Sequence, residues 1–167
     1  MKLNKLTTKF QQALADAQSL AGRHDNAYIE PAHVLSALLA DADSGAGSLL
    51  ARAGVAVNRV QTALETAIKN LPQVQGSEGN IQVSRDLQAV FTRTDKEATK
   101  RGDGYIPTEI FLLCLADDKG ETGRILRDAG LQKKSLEAAV DAVRGGASVN
   151  DQEGDANREA LTKYTTD

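Results

Sequence analysis

The chain has 167 residues, the size of one ordinary domain, and its 41% hydrophobic and 26% charged residues place it with folded globular proteins rather than disordered or fibrous ones. Residues 1–147 balance 18 Lys or Arg against 18 Asp or Glu, while residues 148–167 carry 2 against 5, so the net charge of -3 belongs to the tail. The neutral body lacks the basic stripe of a nucleic-acid binder, no stretch approaches the ~20 apolar residues of a membrane span, and the N-terminus has no signal-peptide block, which points to the cytoplasm.

Six aromatics and no Trp, against abundant Ala and Leu, favour packed helices, so the expected class is all-α. Leu3, Leu6, Phe10, Ala13, Leu14, Ala17 and Ala21 recur at helical steps and predict the first helix. Pro31 opens a second through Val34, Leu35, Leu38 and Leu39. A short helix over 48–53 ends at Gly54 as a left-handed cap, and Val57, Val60, Leu64, Ile68 and Leu71 make a fourth, stopped by Pro72. After a polar linker, 73–83, Ser84 caps a helix through Leu87, Val90, Phe91, Thr94 and Ala98. Thr108 is predicted to cap the next, with Ile110, Phe111, Leu113, Cys114 and Leu115; helices over 121–129 and around Leu136, Val140 and Val143 follow, and Gly145-Gly146 ends regular structure. Residues 157–164 are read as a possible helix restart.

The two halves match. Phe10-Gln11 corresponds to Leu87-Gln88, Ala21 to Ala98 and Tyr28-Ile29 to Tyr105-Ile106 at an offset of 77, and Leu50 to Val55 corresponds to Leu126 to Leu131 at 76. The expectation is eight helices as two pseudo-symmetric four-helix repeats, about 1–72 and 84–146, in one domain over 1–147, then a flexible acidic linker over 148–167.

Catalytic signatures fail. There is no phosphate loop and no dinucleotide fingerprint, and the loop from Asp41 starts like a calcium loop but has Arg52 where its twelfth position needs Glu. His24 and His33 lack the partners of a zinc or nucleophile site, and Cys114, the only cysteine, lies in an apolar run and reads as core. Asp103 and Glu109 flank a turn and a helix start, where acids ordinarily satisfy backbone N–H groups. Leu87, Val90, Phe91, Ile110 and Phe111 fit a buried core or, alternatively, an exposed groove for a peptide.

Tyr28-Ile-Glu-Pro-Ala-His-Val-Leu-Ser-Ala-Leu38 in one copy and Tyr105-Ile-Pro-Thr-Glu-Ile-Phe-Leu-Leu-Cys-Leu115 in the other resemble the Clp N-terminal repeat domain family. The opening from Leu6 to Ala21, His24-Asp-Asn26, Leu71-Pro-Gln-Val74, Lys100-Arg-Gly-Asp103 and the ending from Arg144 through Tyr164 are similar to its bacterial disaggregase branch. That resemblance implies a non-enzymatic substrate-recognition module, joined by a mobile linker to ATPase modules absent from this chain. Those modules would bind ATP and magnesium; no cofactor is expected here. The implied partners are unfolded or aggregated polypeptides, the rest of its own chain in a homohexamer, and an Hsp70-type chaperone system contacted through other domains. The alternative is a docking module for a folded adaptor. The resemblance implicates Thr7, Asp103 and Glu109 in substrate handling, with Asp103 and Glu109 as a polar rim. It also implies an apolar groove between the first two helices of repeat two, for which Leu87, Val90, Phe91, Ile110 and Phe111 are the candidates. The first repeat departs from the family's Thr-Glu-His pattern with Pro31-Ala32-His33.

Overall fold

Thr7 and Ser84 stand 77 residues apart and do the same work. In the computed structural model, which describes residues 3–74, 81–145, 148–150 and 152, each caps the first long helix of its repeat. The Thr7 hydroxyl accepts the Phe10 N–H at 3.3 Å and the Ser84 hydroxyl accepts the Leu87 N–H at 3.0 Å. Repeat one supplies α1 (Thr8–Arg23), α2 (Pro31–Ala40), α3 (Ala46–Arg52) and α4 (Val57–Lys69); repeat two supplies α5 (Arg85–Lys100), α6 (Thr108–Ala116), α7 (Glu121–Asp128) and α8 (Lys133–Arg144). The eight helices and their order agree with the sequence reading.

Three local expectations change. The first helix starts at Thr8 rather than Leu3, because 3–5 form a 3₁₀ turn and Leu6 is drawn out to bridge Ile106. Thr108 is the first residue of α6, its cap position being Pro107. Two-residue strands pair in parallel, β1 (Tyr28–Ile29) from the turn before α2 and β2 (Gln82–Val83) from the end of what reads as polar linker.

Those extended pieces interlock the repeats. Ile29 pairs with Val83 of the other repeat, and Leu6 bridges Ile106, also in the other repeat. The Ser84 N–H donates to Ile29 O at 3.0 Å and the Thr7 N–H to Ile106 O at 3.1 Å. The helices cross over in the same reciprocal way, α3 packing on α8 and α4 on α7. At the centre Phe10, Phe91 and Phe111 meet edge-on or tilted, with ring centroids 5.3–5.9 Å apart. α6 is buried along its whole length, so one core serves both repeats.

The chain does not leave the body at the end of α8. Gly145 (φ 58°) caps that helix, yet Val149 is buried again and is hydrogen-bonded to residues 103–105. The start of the expected flexible segment is therefore docked, because its backbone finds fixed partners. The possible helix over 157–164 lies outside the described residues.

Candidate functional site

Thr7, Asp103 and Glu109 are brought into one neighbourhood, but inside the protein. Thr7 is fully buried at its cap, and its backbone is bonded to Ile106, three residues beyond Asp103. Asp103 and Glu109 converge on Arg144 from the last turn of α8. Arg144 Nη1 and Nη2 donate to the two Asp103 oxygens at 3.0 and 2.7 Å, a bidentate fork, and its Nε lies 3.6 Å from Glu109 Oε2. Asp103 and Glu109 expose 0% and 3% of their side chains and Arg144 5%, so the expected polar rim is instead a buried ion cluster. Arg144 escaped the sequence reading because a cation in a last helical turn looks like an ordinary dipole partner.

Leu87, Val90, Phe91, Ile110 and Phe111 are all interior. The groove expected from them is not open. The face of α5 and α6 that carries them packs against repeat one, as the Phe10 contacts show. A charged residue at Leu87 or Phe111 would therefore test the core rather than a binding surface.

An opening does lie between α5 and α6, on the other side of α5 and closed by the start of α8. Its volume is about 260 Å³, and Leu113 and Cys114 take part in its lining. Both are mostly buried, which makes them its apolar floor. Arg93, Lys96, Glu97 and Lys100, at helical spacing on one face of α5, stand around it with Asp117 and Lys133. Arg93 bonds Asp118 at 2.6 Å, Glu97 bonds Arg101 at 3.0 Å, and Lys133 bonds Asp117. The Asp117 hydrogen bond holds the Lys133 ammonium above its ordinary range. Lys96 and Lys100 are exposed and pair with no carboxylate among the described residues.

Burial pushes the Cys114 thiol up, against smaller opposing effects of the Thr94 hydroxyl and the Arg93 charge. A raised pKa leaves little of the thiolate that nucleophilic chemistry needs, and the buried thiol forms part of the cleft's floor. At an offset of 77 the corresponding repeat-one positions are Asp16, Ser19, Leu20, Arg23, Ser36 and Ala37, so this cationic, sulfur-floored cleft belongs to repeat two. The run 93, 96, 97, 100 was legible in sequence as one helix face; its meeting with Leu113 and Cys114 was not.

Elsewhere, Asp41 accepts the Asp43 N–H at 3.0 Å in a 3₁₀ turn, and no group of three or more His, Cys, Asp or Glu among the described residues is placed to hold a metal. No helix among them is long and apolar enough to cross a membrane.

Comparison with known proteins gives a consistent picture. The family model described as the Clp repeat (R) N-terminal domain matches residues 5–129. The chaperone protein ClpB of Vibrio vulnificus (strain YJ016) is 41% identical over 167 residues, 100% of this chain and 20% of that protein. The ClpB of Vibrio cholerae serotype O1 is 42% identical over the same shares. The chain thus spans about a fifth of the length of these relatives. Among solved structures, the Hsp104 N-terminal domain from Candida albicans superimposes with a TM-score of 0.78 at 20% identity, covering 90% of this chain and 98% of that one, which establishes the fold.

Proposed function

The chain belongs to the Clp repeat (R) N-terminal domain family, and on that premise we propose that it recognises exposed apolar segments of unfolded or aggregated polypeptides for a longer ATP-driven chaperone of the ClpB kind. The observation that carries this reading is the cleft between α5 and α6, which joins an apolar floor of Leu113 and Cys114 to the exposed ammonium groups of Lys96 and Lys100. One or two apolar side chains of a client would lie on Leu113 and Cys114, while Lys96 and Lys100 meet the client's backbone carbonyls or carboxylates. So small a contact is weak by itself. Six such modules tethered to one ring would add by effective concentration, which favours capture followed by release. ATP and magnesium would act in the ATPase part of such a chaperone.

The test is a residue-resolved NMR titration with a permanently unfolded polypeptide. Amide shifts gathered on 93–100, 113–117 and Lys133, weakened in a Lys96→Glu/Lys100→Glu variant for an acidic client and strengthened for a basic one, support the assignment. Shifts elsewhere, or none, overturn it. The second reading, docking of a folded adaptor, is favoured by the charge-rich rim, which suits a partner with a fixed complementary surface. Binding to a folded partner with no response to the unfolded chain would decide for it.

A further inference from the structure

The buried cluster under Asp103 has a use that neither a client site nor ordinary core packing explains. Asp103 Oδ1, already bonded to Arg144, also accepts the Val149 N–H at 2.8 Å. Val149 O then accepts the N–H groups of Gly104 at 2.7 Å and Tyr105 at 3.0 Å. Asn150 Oδ1 accepts the Gly104 N–H at 3.2 Å, the Ser148 hydroxyl donates to Arg101 O at 3.3 Å, and Gln152 O accepts the Thr8 N–H at 3.0 Å. Val149 is 3% exposed. A Cβ on Gly104 would stand 3.0 Å from Asn150 Oδ1, so the glycine is where the two backbones close on each other.

The first repeat docks its own outgoing chain at the equivalent place. Asn26, 77 positions before Asp103, donates its side-chain amide to Pro72 O at 3.1 Å, and Pro72 is 77 positions before Val149. The Val74 N–H donates to Asp25 O at 2.7 Å. In that repeat the chain runs on to β2 and α5; in the second it runs on to the tail. The exit at Ser148 thus reuses a connection the duplication had already built.

We infer that Asp103, backed by Arg144 and Glu109, is a positioning residue that clamps the outgoing chain as a strap, and that it acts on the module's tether rather than by touching a polypeptide. With the strap docked, the described hydrogen bonds hold the outgoing chain as far as Gln152, beside the start of α1. Released, the chain is held only as far as the end of α8, which lengthens the reach of the module by up to roughly 25 Å.

The test uses amide hydrogen exchange on the whole chain, together with the distance distribution between a dye on α4 and one at position 166. In the parent, the Gly104, Tyr105 and Val149 amides are protected. Val149→Asp, which puts a carboxylate in the buried place of the Val149 side chain, outside every helix, speeds their exchange by about tenfold or more and broadens the distance distribution, with Phe111 and Leu113 amides unchanged. Asp103→Asn does the same to a smaller degree, and a Gly104→Cys/Asn150→Cys disulfide added to it restores the parent distribution; a Gly104 Cβ would lie 3.6 Å from Asn150 Cα, within reach of that bond. Unprotected Gly104 and Tyr105 amides in the parent, or a Val149→Asp distribution like the parent's, overturn the strap. Loss of client shifts at the α5–α6 cleft in a folded Val149→Asp would also overturn it, by placing the client at the strap; retained shifts support it. Absence of client shifts in the parent counts against the proposed function alone.

Discussion

Glu30 donates its backbone N–H to His33 Nδ1 at 2.8 Å, which leaves the ring proton on Nε2, and Nε2 donates to Asn26 Oδ1 at 2.9 Å. The imidazole is fully buried and closes a capping box at the start of α2, so a second proton would have to displace the Glu30 bond. Burial first, and then the charge of His24, lowers its pKa from 6.5 to about 4. The unfolded chain therefore takes up a proton through a range in which the folded protein does not. Stability is full above about pH 6.5 and falls as the pH drops toward about 4, by up to about 3 kcal/mol. Urea denaturation at about pH 7 and about pH 4.5 measures this, and His33→Gln should flatten the difference. Sequence reading placed His33 as structural because no partner residues for catalysis or metal were spaced around it. It did not reveal the bond to Asn26, which needs the turn at 24–27 to fold back.

Helix α7 meets the end of α6 at Gly123, where an added Cβ would stand 2.2 Å from Asp118 O and 2.8 Å from Leu115 O. Both are backbone atoms and cannot swing aside. Gly47 occupies the same place in α3, at the repeat offset of 76, and its Cβ would meet nothing within 4 Å. Helix propensity alone favours Ala at both by up to ~1 kcal/mol. The clash should outweigh this at Gly123, so Gly123→Ala is expected to destabilise by roughly 1–3 kcal/mol while Gly47→Ala stabilises by roughly 0.5 kcal/mol. Chemical denaturation of the two variants checks both signs at once. The elements themselves were largely legible, since eight helices follow from apolar residues at three- and four-residue steps and from Ser84, Gly54 and Gly145 at their ends. The strands were not. Leu6 continues the hydrophobic pattern of the first helix, Val83 reads as the end of the polar linker, and a two-residue strand has no periodicity to betray it.

Strand pairing, the α3–α8 and α4–α7 contacts and the Phe10–Phe91–Phe111 cluster join the two repeats, so one continuous core runs through both. A fragment holding residues 1–74 loses the partners of Leu6 and Ile29 and exposes Phe10, and it is expected to remain largely unfolded by far-UV circular dichroism and to aggregate. A cooperative transition in that fragment would show that the interlock is not needed. The internal repeat, the all-helical class, the neutral body and the acidic tail were determined by sequence alone, because pattern, capping and charge are local properties read residue by residue. The family was readable too, from motifs spread along the whole chain. Tertiary structure alone decided which face of α5 and α6 is core and which opens as a cleft, that Arg144 joins Asp103 and Glu109, and that Val149 returns to the body. Each of those depends on residues tens of positions apart, and in a helix every face carries side chains whose burial is set by what the rest of the chain brings against it.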